Sequence, residues 1–166
     1  MDKQAKTNGM NQVITREAVQ SDLPTLRRFE QGVIDAERPF IPTLQEGDVW
    51  YYDLEYMLDA PHIHLIVAES GGELVGSGYA RIEEAKHYLK HKHHAYLGFM
   101  YTIPAYRGKG VNKIVVDALL YWAGQQNIAE AELEVYYDNE PAIKAYEKSG
   151  FSRHLITMRK AITPLY

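Results

Sequence analysis

Cysteine is absent from the 166-residue chain. Disulfides, thiolate zinc sites, iron–sulfur clusters and an acyl-cysteine intermediate are thereby excluded. Long hydrophobic runs are missing too. The longest stretch free of Asp, Glu, Lys and Arg, His93 to Tyr106, contains Pro104 and falls short of the ~20 apolar residues that a membrane-spanning helix needs. Met1 to Gln12 is polar and lacks the apolar core of a signal peptide. We therefore expect a flexible N-terminal segment over 1–12, a single domain over 13–166, no membrane partner and a cytoplasmic protein. An excess of positive charge is also lacking: 18 Lys and Arg stand against 22 Asp and Glu, for a net charge of −4. A general nucleic-acid binder needs a basic surface to neutralise phosphates, so no nucleic-acid partner is expected.

What is present is ordinary globular composition, 46% hydrophobic and 24% charged, enough apolar residue to bury a core. Val13 to Ala18 reads as a strand. Ser21 or Asp22 then caps a helix with Pro24 in its first turn, and Leu23, Leu26, Phe29 or Glu30, and Val33 form its apolar stripe. An aromatic helix is expected around Trp50 to Leu58. His62–Glu69 and Leu74–Glu83 form a hairpin around a Ser-Gly-Gly-Glu turn, and Ala95 to Ile103 is a further strand. The period then changes. Val111, Ile114, Val115, Ala118, Leu119 and Trp122 recur on one face of a helix packed on a sheet. Strands over Ala131–Tyr137 and Phe151–Met158 enclose a short helix, Pro141 to Ser149. The order is mixed α/β, hairpins first and a βαβ unit later.

The junction from Tyr101 to Lys113 is the most informative stretch. A buried strand there gives way to the best amphipathic helix in the chain, and the first turn of a helix carries unpaired N–H groups and a partial positive charge. Gly108 and Gly110 allow close approach of an anion to the main chain, and Arg107, Lys109 and Lys113 add charge. A Walker loop is excluded because Gly110 and Val111 follow Lys109. A dinucleotide fingerprint is excluded because Lys113 stands where a third glycine belongs.

Arg107-Gly108-Lys109-Gly110-Val111-Asn112 resembles motif A of the GCN5-related N-acetyltransferase (GNAT) superfamily, Gln/Arg-x-x-Gly-x-Gly/Ala, departing from it at Asn112. Independently, Asn139-x-x-Ala142-x-x-x-Tyr146-x-x-x-Gly150-Phe151 resembles the family's motif B helix and the strand after it. The resemblance implies an α/β (α+β) fold with a central, mixed, mostly antiparallel twisted sheet of six to seven strands flanked by about four helices. It also implies transfer of an acetyl group from acetyl-CoA, as co-substrate, to a primary amine by direct transfer in a ternary complex. Under it, Met100, Tyr101 and Thr102 offer main-chain groups to the pantetheine arm. The N–H groups of Gly108, Lys109, Gly110, Val111, Asn112 and Lys113 take the pyrophosphate beside Arg107. Asn139 contacts the pantetheine or holds the strand–helix corner. Tyr146 stands at the general-acid position, where a phenol with a pKa of about 10 can protonate a departing thiolate. Glu134, twelve residues earlier, matches the strand glutamate that serves as base in the branch acting on ribosomal-protein N-termini; Glu83, Glu84 and a water chain are the alternatives. A homodimer is a further expectation, since dimers are frequent in the family. A non-catalytic acyl-CoA-binding module of the same fold is the alternative reading.

The acceptor is expected to be a small-molecule amine or a peptide N-terminus. Positions 35, 37, 46, 48, 53, 55 and 59 are acidic, and Trp50, Tyr51, Tyr52 and Tyr56 lie among them, a combination suited to a cation. The Lys- and His-rich stretch 86–94 has His87 and His91 four apart. Its surrounding cations oppose a metal, so no metal is expected, and a basic hairpin extension at a dimer contact or near the CoA 3′-phosphate is the favoured reading.

Overall fold

In a computed structural model that describes residues 12–163, five strands form one twisted sheet. They are β1 (Val13–Glu17), β2 (Ile63–Ser70), β3 (Glu73–Glu84), β4 (His93–Thr102) and β5 (Ala131–Leu133), and their spatial order is their chain order. The first four are antiparallel to their neighbours, whereas β5 runs parallel to β4. The helices are α1 (Leu23–Glu37), α2 (Leu54–Asp59), α3 (Val111–Gln125) and α4 (Glu140–Lys148). Residues 1–11, on which most of the expected flexible segment falls, lie outside the described residues.

Both faces of the sheet are covered, which explains why β2 to β4 are apolar on both sides. Leu26, Phe29 and Val33 of α1, with Leu54 and Met57 of α2, pack on Leu65, Val67, Tyr79 and Phe99. Val111, Val115, Val116 and Leu119 of α3 pack on Ile66, Val75, Ala80 and Leu97 from the other side. The amphipathic period read for α3 marks this face except at two positions: Ile114, expected on it, is exposed, and Val116, left out of it, is buried.

The expected sheet of six to seven strands is corrected to five among the described residues. β5 is only Ala131–Leu133, shorter than the expected 131–137, because its pairing with β4 stops at Leu97↔Leu133 and the chain then turns away. Phe151–Met158 forms no strand. Leu155, Ile156 and Met158 are 82%, 66% and 91% exposed, so the segment lies off the sheet with its apolar side chains in solvent. α2 begins at Leu54 instead of Trp50, where the Asp53 side chain accepts the Tyr56 N–H at 3.1 Å. Residues 86–92 are a turn at the tip of the β3–β4 hairpin, closed by Ala85 N–H to Lys92 O at 2.8 Å, and His87 and His91 share no helix. Ten residues of β4, at ~3.3 Å each, place that tip roughly 30 Å from the loop before α3. The tip and that loop thus lie toward opposite ends of β4. Among the described residues no group of three or more His, Asp or Glu is arranged to hold a metal ion. No described helix is long and apolar enough to cross a membrane.

Candidate active site

β4 is the spine of the site. It opposes β3 along its whole length but meets β5 only through Ala95 to Leu97, so among the described residues its outer edge from Gly98 to Thr102 has no partner strand and a wedge opens there. One extra residue in β4 breaks the register with β3 between Ser77 and Tyr79, and Phe99 there adopts φ of 54°. This bulge reverses the alternation of side chains. Leu97 packs toward α3, yet Phe99, two residues on, packs toward α1 with Tyr101. A phenylalanine in the left-handed region is strained, and such strain gathers at functional sites. The Ser77 hydroxyl, buried, donates to the Phe99 carbonyl at 3.1 Å and holds the bulge.

Beyond the bulge, Ile103 N–H donates to Val75 O at 2.9 Å, so this residue faces β3 and its predecessor Thr102 faces away. There the Thr102 carbonyl accepts the Arg107 Nε–H at 3.2 Å, while the Arg107 guanidinium lies 5.9 Å from the Tyr101 ring centre. Arg107 thus splints the strand to the loop. Pro104–Tyr106 makes one 3-10 turn, after which Gly108 (φ 73°) and Gly110 (φ 83°) adopt left-handed conformations that admit no side chain without strain. Gly108, Lys109 and Gly110 are exposed, and α3 starts at Val111, itself 1% exposed and locked in the core. The first-turn N–H groups of α3 consequently open to solvent at the mouth of the wedge. Lys109 lies over the Tyr106 ring at 5.2 Å, and Lys113 pairs with Asp117 at 2.6 Å. Asn112 is half-buried in the first turn of α3, and the helix start is intact around it.

On the far side, the Asn139 side chain accepts the Ala142 N–H at 3.4 Å and caps α4, which is the corner-holding geometry. α4 presents Tyr146, half-buried beside Phe151, with its phenol pushed up to about 12 by burial and, second, by the charge of Glu37. Glu134, exposed just past β5, acts on the hydroxyls of Tyr79, Tyr96 and Tyr136. Its neighbour Glu132 is occupied by His94 at 2.5 Å, and His94 also meets Glu83 at 3.4 Å. The carboxylate electrostatically coupled to Tyr146 is therefore Glu37, a residue that motif comparison alone does not single out.

Glu30 is another. It is 0% exposed, and its Oε1 accepts the N–H groups of Tyr51 and Tyr52 at 2.5 and 2.9 Å, pinning the segment before α2 against α1. The signal was available: an acidic residue at an apolar-stripe position has a buried partner to satisfy. Tyr52 then packs on Phe99 at 4.7 Å and edge-on to Tyr79, so the wedge wall is aromatic. Trp50 and Tyr56 are about half exposed, and Glu55 pairs with Arg27. A hollow of about 460 Å³ between the start of α1 and the β2–β3 turn is lined by the Arg16–Asp22 ion pair, and Tyr146 is not among its lining residues.

Comparison with known proteins agrees with this geometry. Residues 30–151 match the model of the Acetyltransferase (GNAT) family. Over 100 residues, 58% of the chain, the sequence is 34% identical to the N-alpha-acetyltransferase RimI of Mycobacterium tuberculosis, covering 56% of that protein. Over 81% of the chain it is 27% identical to a mycothiol acetyltransferase of Streptomyces griseus, covering 45% of it. The chain thus spans about half the length of these curated relatives. A solved structure from Clostridium acetobutylicum, described as a predicted acetyltransferase with acetyl-CoA, superposes with a TM-score of 0.68 at 19% identity, over 91% of this chain and 97% of that one.

Proposed function

The chain belongs to the Acetyltransferase (GNAT) family, and from that premise we propose that it moves the acetyl group of acetyl-CoA onto a primary amine, carried by a small molecule or a peptide N-terminus, within a ternary complex. The observation that carries this reading is the unpaired outer edge of β4 running directly into the exposed amino end of α3. An extended amide-bearing arm pairs with a free strand edge, and a diphosphate suits main-chain N–H groups and a helix dipole. The fit is with the residues present. Met100, Tyr101 and Thr102 would receive the pantetheine amides, and Gly108 to Lys113 the diphosphate, beside the fixed Arg107.

An N–H group of the bulged edge would hold the oxyanion as the amine nitrogen attacks the thioester carbonyl. The nitrogen–carbon bond forms, the carbon–sulfur bond breaks, and Tyr146 gives its proton to the leaving thiolate. The second amine proton restores the phenol. The first must leave before attack, because an alkylammonium with a pKa near 10 has no lone pair to offer. Carboxylates on either wall of the wedge, Glu134 and Glu37, supply candidates for that step. The two curated relatives are an N-alpha-acetyltransferase and a mycothiol acetyltransferase by name, so the shared fold leaves the acceptor to the wedge walls.

A free-thiol assay with acetyl-CoA across a library of amines and peptides tests the reading. Thiol release should require a primary amine, and Tyr146→Phe should lower kcat about 100-fold while leaving CoA affinity within about twofold. Tight CoA binding with no thiol release from any acceptor would instead identify a non-catalytic acyl-CoA-binding module.

A further inference from the structure

α1 packs against the unpaired edge of β4 and grips it at two rings. Phe29 of α1 meets Tyr101 with ring centres 4.9 Å apart. Gly32, three residues on, stands inside the helix, where glycine is a destabilising choice. A Cβ built on it would come within 2.5 Å of the Tyr101 ring, so the missing side chain is the space that ring occupies. Glu30 makes the second grip through the segment before α2. Residues 41–53 have no helix or strand of their own. Side chains of α1 tie down their end: Gln31 Nε2 donates to Val49 O at 3.0 Å, and the N–H groups of Tyr51 and Tyr52 donate to Glu30 Oε1 at 2.5 and 2.9 Å. The Tyr52 ring, held in this way, lies 4.7 Å from the ring of Phe99, the strained bulge residue. Ser77 holds the Phe99 carbonyl from β3 while Tyr52 covers its ring. A carboxyl group is a costly anchor here. Glu30 is 0% exposed, its Oε2 has no hydrogen-bond partner among the described residues, and Leu26, Phe29 and Val33 of the same stripe are apolar. A buried polar atom left in that state calls for a role beyond packing.

We propose that Glu30 is a positioning residue for acetyl transfer: by fixing Tyr52 against Phe99, it holds the β4 bulge in the left-handed shape that points an edge N–H at the reacting thioester. The inference rests on the acetyl-transfer reading above and adds what keeps that donor in place. A phenylalanine at φ of 54° gains by returning to the ordinary extended region, so a bulge without its clamp relaxes. A donor misplaced by about 1 Å forfeits about 100-fold in rate, because its hydrogen bond matters most to the charge that develops in the transition state. In the same reading the pantetheine arm pairs further along, at Met100 to Thr102, where Phe29 and Gly32 seat Tyr101 without help from Glu30. Glu30 is therefore felt in turnover and little in coenzyme binding.

The test compares wild type with Glu30→Gln, Glu30→Met and Tyr52→Leu in the free-thiol assay with the most active amine, beside thermal melts, CoA titration and backbone amide spectra. Glu30→Gln keeps an oxygen for both N–H groups and should hold kcat within about threefold of wild type. Glu30→Met fills similar space without that acceptor and should lose about 100-fold in kcat. Its KM for acetyl-CoA and its CoA affinity should stay within about twofold. The Gly98 and Phe99 amide resonances should move in Glu30→Met, while those of Gly108–Lys113 stay in place. Tyr52→Leu leaves the hydrogen bonds but removes the ring, and should reproduce the kcat loss even if Glu30→Met does not fold. Glu30→Met or Tyr52→Leu turning over within about threefold of wild type would overturn the proposal and leave acetyl transfer standing. So would a Glu30→Gln as slow as Glu30→Met, or kcat losses that track lowered melting temperatures and weakened CoA binding. A wild type that binds CoA but releases no thiol with any acceptor would overturn both readings.

Discussion

Arg16 reaches from β1 to two carboxylates at once, Asp22 through Nη1 at 2.8 Å and Nη2 at 3.1 Å, and Glu69 through Nε at 3.0 Å. Asp22 also accepts the Val19 N–H at 2.8 Å, which ties the first strand to the start of α1. The bidentate geometry, and the 8% exposure of the Asp22 side chain, make this ion pair stronger than a solvated one. The Arg16 guanidinium holds the Asp22 carboxyl below the usual carboxylate range, against the opposing effect of burial. The sign follows from linkage. The folded state binds this proton less readily than the unfolded chain, so the stabilisation is present above the ordinary aspartate pKa near 3.9 and is lost as pH falls through the lower folded value. Asp22→Asn should cost about 2 kcal/mol at pH 7, and its stability should decline less than the wild type's between pH 5 and 2. Urea titrations across that range would check both. Glu37 has the opposite sign: its raised pKa subtracts stability as pH rises above the ordinary carboxylate value.

At the scale of elements, the phosphate-loop proposal turns on two left-handed glycines, and Gly110 is the one that starts α3. Nothing lies within 4 Å of a Cβ built on it, so alanine there would meet backbone strain without a clash. Gly110→Ala should therefore weaken CoA binding about tenfold, from roughly 1 kcal/mol or more of strain, while the fold persists. Calorimetric titration would measure it, and an unchanged affinity would remove the left-handed turn from the account. This element was legible in the sequence because Gly108, Gly110 and the α3 period are local signals. The bulge at Phe99 was not. Its cause is one extra residue in β4 relative to β3, a pairing property that no window of sequence contains. Strand ends were hidden for the same reason. The 131–137 stretch is apolar enough for a strand, but the chain leaves β4 after the Leu97↔Leu133 pair.

For the molecule as a whole, the order of elements as far as α4, the helices flanking the sheet and the family were readable, since each follows from hydrophobic period and two motifs. The acceptor wall was readable only in composition. Seven acids lie between positions 35 and 59, yet Asp53 caps α2, Glu55 pairs with Arg27, and Glu37 alone among these three acts through its charge on the Tyr146 phenol. Sorting them requires the long-range packing of α1 on the β4 wedge. The His- and Lys-rich tip is likewise assigned by distance, since β4 carries it to the opposite end of the sheet from the glycine loop. The central claim concerns where that loop meets its ligand. Backbone amide resonances of isotopically labelled protein, followed during titration with coenzyme A, report on it directly. The account predicts saturable shifts concentrated at Met100–Thr102 and Gly108–Lys113, with the 86–92 tip unmoved. Shifts confined to other regions, or none at millimolar coenzyme A, would contradict it.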